Sequence, residues 1–126
     1  FKELTPVEYL KITKMADWKK LSNGTKIITQ DARVFNLNLI YNGTVEVQVD
    51  GKSVAELKDG QFVGEMSFLT EQPATATCIV KHETELLVWK QKQFKDLLKR
   101  NPSLYFTIQS LLSTQVSSNL VSTSKK

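Results

Sequence analysis

The stretch that decides the fold is GQFVGEMSFLTEQPATAT, residues 60–77. Gly64 permits a sharp bend or a close approach of backbone to a ligand, because glycine has no Cβ. Residues 65–69 can then form one helical turn, whose first N–H groups have no partner within the helix and favour an anion. The Glu65 carboxylate only accepts hydrogen bonds, so it suits a hydroxyl group and not a phosphate. With the hydroxyl of Thr75, the stretch can build a site for one sugar and one phosphate.

The same spacing also fits a structural corner of a β-barrel. In that interpretation Gly64 is only a bend, and Glu65 accepts hydrogen bonds from nearby backbone amides. The spacing of these residues alone leaves both interpretations open.

A helix is predicted over residues 5–20. Thr5 and Glu8 have the spacing of a capping box, in which each side chain accepts a hydrogen bond from the other residue's backbone N–H. Pro6 stands at the first helical position, where its missing N–H has no consequence. Apolar residues then recur at nearly helical spacing, namely Val7, Leu10, Ile12, Met15 and Trp18.

Residues 24–90 have the pattern of short strands separated by turns. Residues 45–49 alternate valine with polar residues, as a half-buried strand requires. Asn-Gly at 42–43 and Asp-Gly at 50–51 are strong signals for tight hairpin turns. Turn signals repeated about every 8–12 residues indicate a barrel or a sandwich. We expect Trp18 and Trp89 to lie in the core of this domain.

Residues 91–120 predict two C-terminal helices. The first carries Phe94 and Leu98 on one face and ends before Pro102, which cannot continue it. The second is apolar at Leu104, Tyr105, Ile108, Leu111 and Leu112. An exposed apolar face on this last helix would offer a surface for oligomerisation.

Length and composition limit the class of protein and its cellular setting. At 126 residues, 40% hydrophobic and 24% charged, the chain has the values of one globular domain. The single cysteine and single histidine exclude an internal disulfide and argue against a metal site, so we expect no metal and a reducing, cytoplasmic setting. The chain begins at Phe1 and shows no signal peptide. We therefore expect a piece of a longer protein, with any membrane attachment outside this chain.

The formal net charge is +4, and residues 81–100 carry most of it, with six basic and three acidic side chains. Such a segment can attract nucleic acid or an anionic membrane. No helix-turn-helix pattern and no interleaved aromatic residues accompany the charge. We interpret the segment as a solvated helix face and expect no nucleic-acid partner.

A catalytic role is not expected. Cys78 and His82 would lie roughly 13 Å apart on an extended strand, which is too far for a nucleophile to reach its base. Cys78 fits a small buried strand residue, and His82 fits a loop.

The order of helix, turn-punctuated strands, Gly-Glu turn and terminal helices resembles the cyclic nucleotide-binding domain family. This family includes catabolite activator proteins, kinase regulatory subunits and gated channels. The resemblance spans residues 4–120 and is most specific over residues 62–77. There, Gly64-Glu65-Met66-Ser67-Phe68-Leu69 and Pro73-Ala74-Thr75-Ala76-Thr77 follow the order of the family's phosphate-binding cassette.

This resemblance implies a single domain of the α+β class, mainly β. The fold would be an eight-stranded antiparallel β-roll or jelly-roll barrel with an N-terminal helix and C-terminal helices. It also implies a regulatory sensor that binds cAMP or cGMP and has no other cofactor. The cassette, residues 60–77, would supply the ligand-binding residues Val63, Gly64, Glu65, Met66, Ser67, Ala74, Thr75 and Ala76. The C-terminal helices would act as a lid, with Leu111, Leu112 or Val116 capping the base.

One departure from the family pattern affects the ligand directly. The family's arginine, which binds the cyclic phosphate, should stand at position 74, where this chain has Ala74. Losing such a charge-assisted contact costs about 2–5 kcal/mol. Arg33 could replace it only if its loop folds over the site. Three functions stay open: weak or modified nucleotide binding, a degenerate interaction or oligomerisation module, and a site for a less charged ligand.

Overall fold

The structure is a computed structural model that describes the backbone of residues 4–124 and the side chains of residues 4–115. Its elements in chain order are α1 (Pro6–Lys14), β1 (Asp17–Leu21), β2 (Lys26–Ile28), β3 (Asn36–Val49), β4 (Lys52–Lys58), β5 (Phe62–Val63), α2 (Glu65–Thr70), β6 (Thr77–Lys90), α3 (Gln91–Lys99) and α4 (Pro102–Ser124). No helix within the described backbone is both long and apolar enough to span a bilayer.

The strands form one antiparallel sheet that the helices flank. The strand order is β1-β6-β3-β4, while β2 also pairs with β6 and β5 also pairs with β3. The two central strands, β3 and β6, are each 14 residues long and pair along most of their length. The sheet of the described residues has six strands and does not close into a barrel.

The predicted count of eight strands is wrong for these residues, and the error lies at Asn42-Gly43. This pair does not turn the chain back but lies inside β3, where the register against β6 shifts on both sides of Asn42. The partner strand β6 likewise runs unbroken past His82, whose φ is 61°. Each of these two stretches is therefore one long irregular strand, because its pairing with the neighbouring strand continues past the residues of unusual backbone conformation.

The predicted helix over residues 5–20 is too long. The capping box is present, with the Glu8 N–H donating to Thr5 Oγ1 at 3.2 Å and the Thr5 N–H donating to Glu8 Oε1 at 3.0 Å. The helix ends at Lys14, however, and Asp17–Leu21 pairs with β6 as an edge strand. Trp18 is consequently 53% exposed, so its predicted place in the core is wrong.

The hairpin predicted at Asp50-Gly51 is confirmed. Val49 pairs with Lys52 across it, and both turn residues have the positive φ that this turn needs, 53° and 79°. The hairpin folds β4 back along β3 and makes one wall of the cavity described below.

Two hydrophobic clusters stabilise the domain. One fills the space between the sheet and the helices, with Trp89 and Phe94 at its centre, their rings 5.1 Å apart. The indole N–H of Trp89 donates to the carbonyl of Ile12 at 2.6 Å, which holds α1 against the sheet. The second cluster, which includes Val45, Leu57 and Cys78, consists of strand residues and Ala74 of the cassette. The predicted burial of Trp89 is confirmed.

Candidate ligand-binding site

A cavity of about 470 Å³ lies between the cassette and the β3–β4 hairpin. This volume falls within the range of small-molecule sites, roughly 300–1,000 Å³. The cassette contributes Gly64, Glu65, Met66, Ser67, Ala74, Thr75 and Ala76 to its wall, and the strands contribute Ile28, Val47, Val49, Val54, Ala55, Leu57 and Cys78. The strand side is therefore apolar, and the polar groups are confined to the cassette side.

Seven of the eight predicted site residues line this cavity. The eighth, Val63, is fully buried in the second hydrophobic cluster and supports the wall from behind. Arg33 does not line the cavity but belongs to a separate groove, so its loop does not fold over the site.

Gly64 sets the entry of the chain into α2. Its φ is 93°, a left-handed conformation that side chains rarely adopt. A Cβ at this position would also lie 3.2 Å from Ile28 Cδ1 and 3.4 Å from the Asn36 carbonyl oxygen. Glycine therefore allows α2 to begin tightly against the neighbouring strands, with Glu65 as its first residue.

Glu65 is 7% exposed and lies in the cavity wall beside the buried Ser67. A carboxylate in such a place can accept strong hydrogen bonds from hydroxyl groups of a ligand. It also repels anionic groups that approach it. A ribose-like pair of hydroxyls is thus a better match to this wall than a phosphate.

Ala74 stands where the resemblance expects the phosphate-binding arginine. Its N–H donates to the Ala32 carbonyl at 2.9 Å, and its carbonyl accepts from the Asp31 N–H at 2.8 Å. These two bonds fix the cassette backbone to the loop after β2. No lysine or arginine is among the described residues that line the cavity, so none of their side chains offers a positive charge to a ligand phosphate.

The thiol of Cys78 faces the same cavity, and its pKa is strongly raised. Burial is the larger cause and the negative charge of Glu65 the smaller, and together they raise the pKa of Cys78 to about 12. The thiol therefore stays protonated and unreactive at neutral pH, as befits a buried strand residue.

This shift predicts a loss of stability at high pH. An unfolded cysteine ionises near pH 9, whereas the folded one resists ionisation until about pH 12. The free energy of unfolding should therefore be unaffected below pH 9 and fall by about 1.4 kcal/mol for each further pH unit towards pH 12. Urea denaturation of the unchanged chain and of Cys78→Ala, at a series of pH values and under reducing conditions, separates this effect from the titration of lysines and tyrosines. If the free energy of unfolding fell equally with pH in both proteins, the prediction would be contradicted.

Gln115 on α4 is a positioning residue that the sequence pattern did not reveal. Its amide donates to the Phe62 carbonyl at 2.7 Å and accepts from the Phe62 N–H at 2.7 Å, so it pairs with the backbone like an added strand. α4 is thereby attached to β5, immediately before the cassette. A lone glutamine in a helix carries no local signal for such a contact.

None of the side chains described for α4, residues 102–115, lines the cavity. Leu112 is fully buried in the first hydrophobic cluster, and Leu111 packs against the same cluster. The third predicted capping residue, Val116, lies outside the described side chains.

A model of the cyclic nucleotide-binding domain matches residues 18–101. The chain belongs to this family. Domains of the cyclic nucleotide-binding family are regulatory ligand-binding modules, and the cavity of this one is bordered by the family's cassette.

Two relatives and one solved structure of similar fold illustrate the range of this similarity. The chain is 28% identical over 119 residues to lysophospholipase nte1 of Neurospora crassa, covering 90% of this chain and 8% of that protein. It is 31% identical over 94 residues to the Pycsar effector XpPycTIR of Xanthomonas perforans, covering 74% of this chain and 31% of the effector. The fold is similar to the solved structure of cAMP-bound PfPKA-R, with a TM-score of 0.81 and 21% identity. The match covers 98% of this chain and 42% of that structure's chain. The chain thus spans less than a third of each of these two curated relatives.

Proposed function

We propose that this cyclic nucleotide-binding domain is a sensor that binds cAMP or cGMP weakly, through contacts modified by the absence of the cassette arginine. The observation that carries the proposal is the cavity of about 470 Å³, with the buried carboxylate of Glu65 in the cassette wall opposite an apolar strand wall. The match of family and fold supports the nucleotide class of ligand.

The two walls suit the two halves of a nucleotide. The ribose hydroxyl would donate to Glu65, which accepts hydrogen bonds only. The base would pack on the apolar strand residues, such as Val49 and Leu57. The phosphate would lie near Thr75, whose hydroxyl and backbone amide can donate to it. No guanidinium adds to these contacts, so the affinity should be lower than that of a family member whose cassette carries the arginine.

Binding would be communicated through α2. Phe68 of this helix packs against Phe94 of α3, with ring centroids 5.7 Å apart. Glu71, just after α2, pairs with Lys95 of α3 at 3.1 Å. A ligand that binds more tightly to one position of α2 would shift α3 with it, because a ligand biases an equilibrium only by its differential affinity.

Removing the carboxylate of Glu65 tests the site. We expect calorimetric titration to give saturable binding of cAMP or cGMP in the micromolar to millimolar range. Glu65→Gln should weaken it by about 10-fold or more, because hydrogen bonds to charged groups contribute about 1.5–3 kcal/mol. Glu83→Gln is the matched control, since it removes an equal charge from an exposed side chain that does not line the cavity, and it should leave binding unchanged.

Two results would overturn the proposal. An absence of heat and of any thermal shift with both nucleotides would leave the domain as an interaction module. Tight binding of adenosine together with no binding of cAMP would assign the cavity to a less charged ligand.

The interaction module is the second candidate because one surface feature favours it. Phe106 of α4 is 71% exposed, and Tyr105 beside it is 42% exposed. Their rings contact each other edge to face, with centroids 5.8 Å apart. Oligomerisation through this helix therefore stays a prediction, as do a cytoplasmic setting and the lack of a nucleic-acid partner.

A further inference from the structure

A second concavity, of about 550 Å³, borders α2, and Ser67 lines both this concavity and the ligand cavity. Three segments surround it: the loop 33–35, the loop 71–73, and one face of α3. We call this concavity the basic groove. It plays no part in the binding of a nucleotide as described above.

Four basic side chains line the basic groove, against two acidic ones, Glu71 and Asp96. Lys95 is already engaged, because it pairs with Glu71 at 3.1 Å and lies 5.0 Å from the centre of the Phe68 ring. The other three, Arg33, Lys92 and Lys99, are exposed and make no ion pair with any described residue. With four basic and two acidic side chains, the groove carries a net charge of +2.

An exposed aromatic ring lies among these charges. Phe35 is 66% exposed, and the guanidinium carbon of Arg33 lies 5.3 Å from its ring centre. The Gln91 N–H donates to the Phe35 carbonyl at 2.8 Å, so the loop is fixed to the start of α3. The ring therefore offers an apolar contact directly beside the cations of the groove.

The start of α3 adds a further positive field. Its N-cap is Lys90, which makes no side-chain capping bond, and its first turn carries no acidic residue. The positive end of the helix dipole thus coincides with Lys92. A carboxylate from outside would relieve this repulsion between like charges.

We propose that the basic groove binds an acidic peptide segment of a partner protein, with one aromatic or aliphatic side chain packed on Phe35. Its concave shape fits one extended segment better than the flat surface of a bilayer. The carboxylates of Glu71 and Asp96 within it would repel a phosphate backbone, whereas a peptide can place neutral residues there. A second copy of this chain, with its net charge of +4, lacks the complementary charge.

The test uses a fluorescein-labelled peptide of sequence EEFDEE and its neutral counterpart QQFNQQ. Fluorescence anisotropy should show binding of the acidic peptide on the order of 100 µM at low salt, weakened by added salt, since exposed ion pairs are individually weak and screened. The double variant Arg33→Gln/Lys92→Gln should weaken binding about 5-fold or more, and Phe35→Ser should weaken it independently. Lys19→Gln/Lys52→Gln removes the same charge from exposed positions elsewhere and should leave binding unchanged.

Three results would overturn the proposal. The first is equal binding of the acidic and neutral peptides, and the second is an equal loss of binding in the Lys19→Gln/Lys52→Gln control. The third is that the domain does not bind the peptide but binds phosphatidylcholine vesicles that contain about one-third phosphatidylserine, and that Arg33→Gln/Lys92→Gln abolishes this vesicle binding. Each readout is independent of nucleotide, so failure of the cavity to bind cAMP or cGMP would not affect it.

Discussion

Replacing Ala74 with arginine should tighten the binding of cAMP or cGMP by about 30-fold or more. The residue lines the cavity, and its backbone is fixed to residues 31–32, so a longer side chain can extend into the cavity without moving the cassette. A guanidinium there would make a bidentate pair with the ligand phosphate, a contact whose loss typically costs about 2–5 kcal/mol. Calorimetric titration of the variant against the unchanged chain measures the difference.

Two further substitutions separate charge from size. Ala74→Met adds a side chain of similar length without charge, and it should give no gain in affinity. Ala74→Lys adds charge without the planar fork and should give a smaller gain than arginine. If the arginine variant binds no more tightly than the methionine variant, the phosphate does not lie near residue 74, and the proposed placing of the nucleotide in the cavity is wrong.

Gly43→Ala on β3 should lower the free energy of unfolding strongly. A Cβ at this position would lie 2.7 Å from both Cβ and Cγ2 of Thr84 and closer still to its Oγ1, all in a fully buried side chain. The φ of 140° is also one that alanine rarely adopts. Overpacking of about 1–3 kcal/mol and a backbone penalty of about 1–2 kcal/mol should together lower the free energy of unfolding by about 2–5 kcal/mol.

Gly51→Ala is the matched control, because its φ of 79° is also positive but its Cβ would meet nothing within 4 Å. It should cost only the backbone penalty, about 1–2 kcal/mol. Urea denaturation followed by circular dichroism measures both variants. Equal losses at the two positions would mean that the close approach of Gly43 to Thr84 does not constrain the bulge in β3.

The parts of this domain that could be predicted are those encoded by neighbouring residues. The capping box of Thr5 and Glu8, the Asp50-Gly51 hairpin and the Gly64-Glu65 turn each depend on a few adjacent positions. The resemblance of residues 60–77 to the family's cassette pointed to seven residues that border the cavity.

The wrong predictions concern positions where a distant strand overrides the local pattern. Asn42-Gly43 has the composition of a turn, but β6 pairs with β3 on both sides of it. Trp18 follows the helical spacing of α1, but Asp17–Leu21 pairs with β6. In both cases hydrogen bonds to β6, more than 30 residues away in sequence, outweigh the local preference.

Features built by two distant segments could not be found from the sequence at all. The pairing of Gln115 with Phe62 joins residues 53 positions apart. The basic groove combines Arg33 with lysines of α3, which the sequence alone suggested to be a solvated helix face. Neither contact has a periodicity or a motif that would reveal it.

The contrast between the two tryptophans gives the domain an intrinsic optical reporter. Trp89 contacts both α1, through the Ile12 carbonyl, and α3, through Phe94, so its emission depends on how these helices sit on the sheet. Trp18 is exposed on an edge strand and contributes a water-like background. Trp18→Phe would remove that background and leave a single tryptophan, at the junction of sheet and helices. Helix movement on ligand binding could then be followed in real time without attaching any dye.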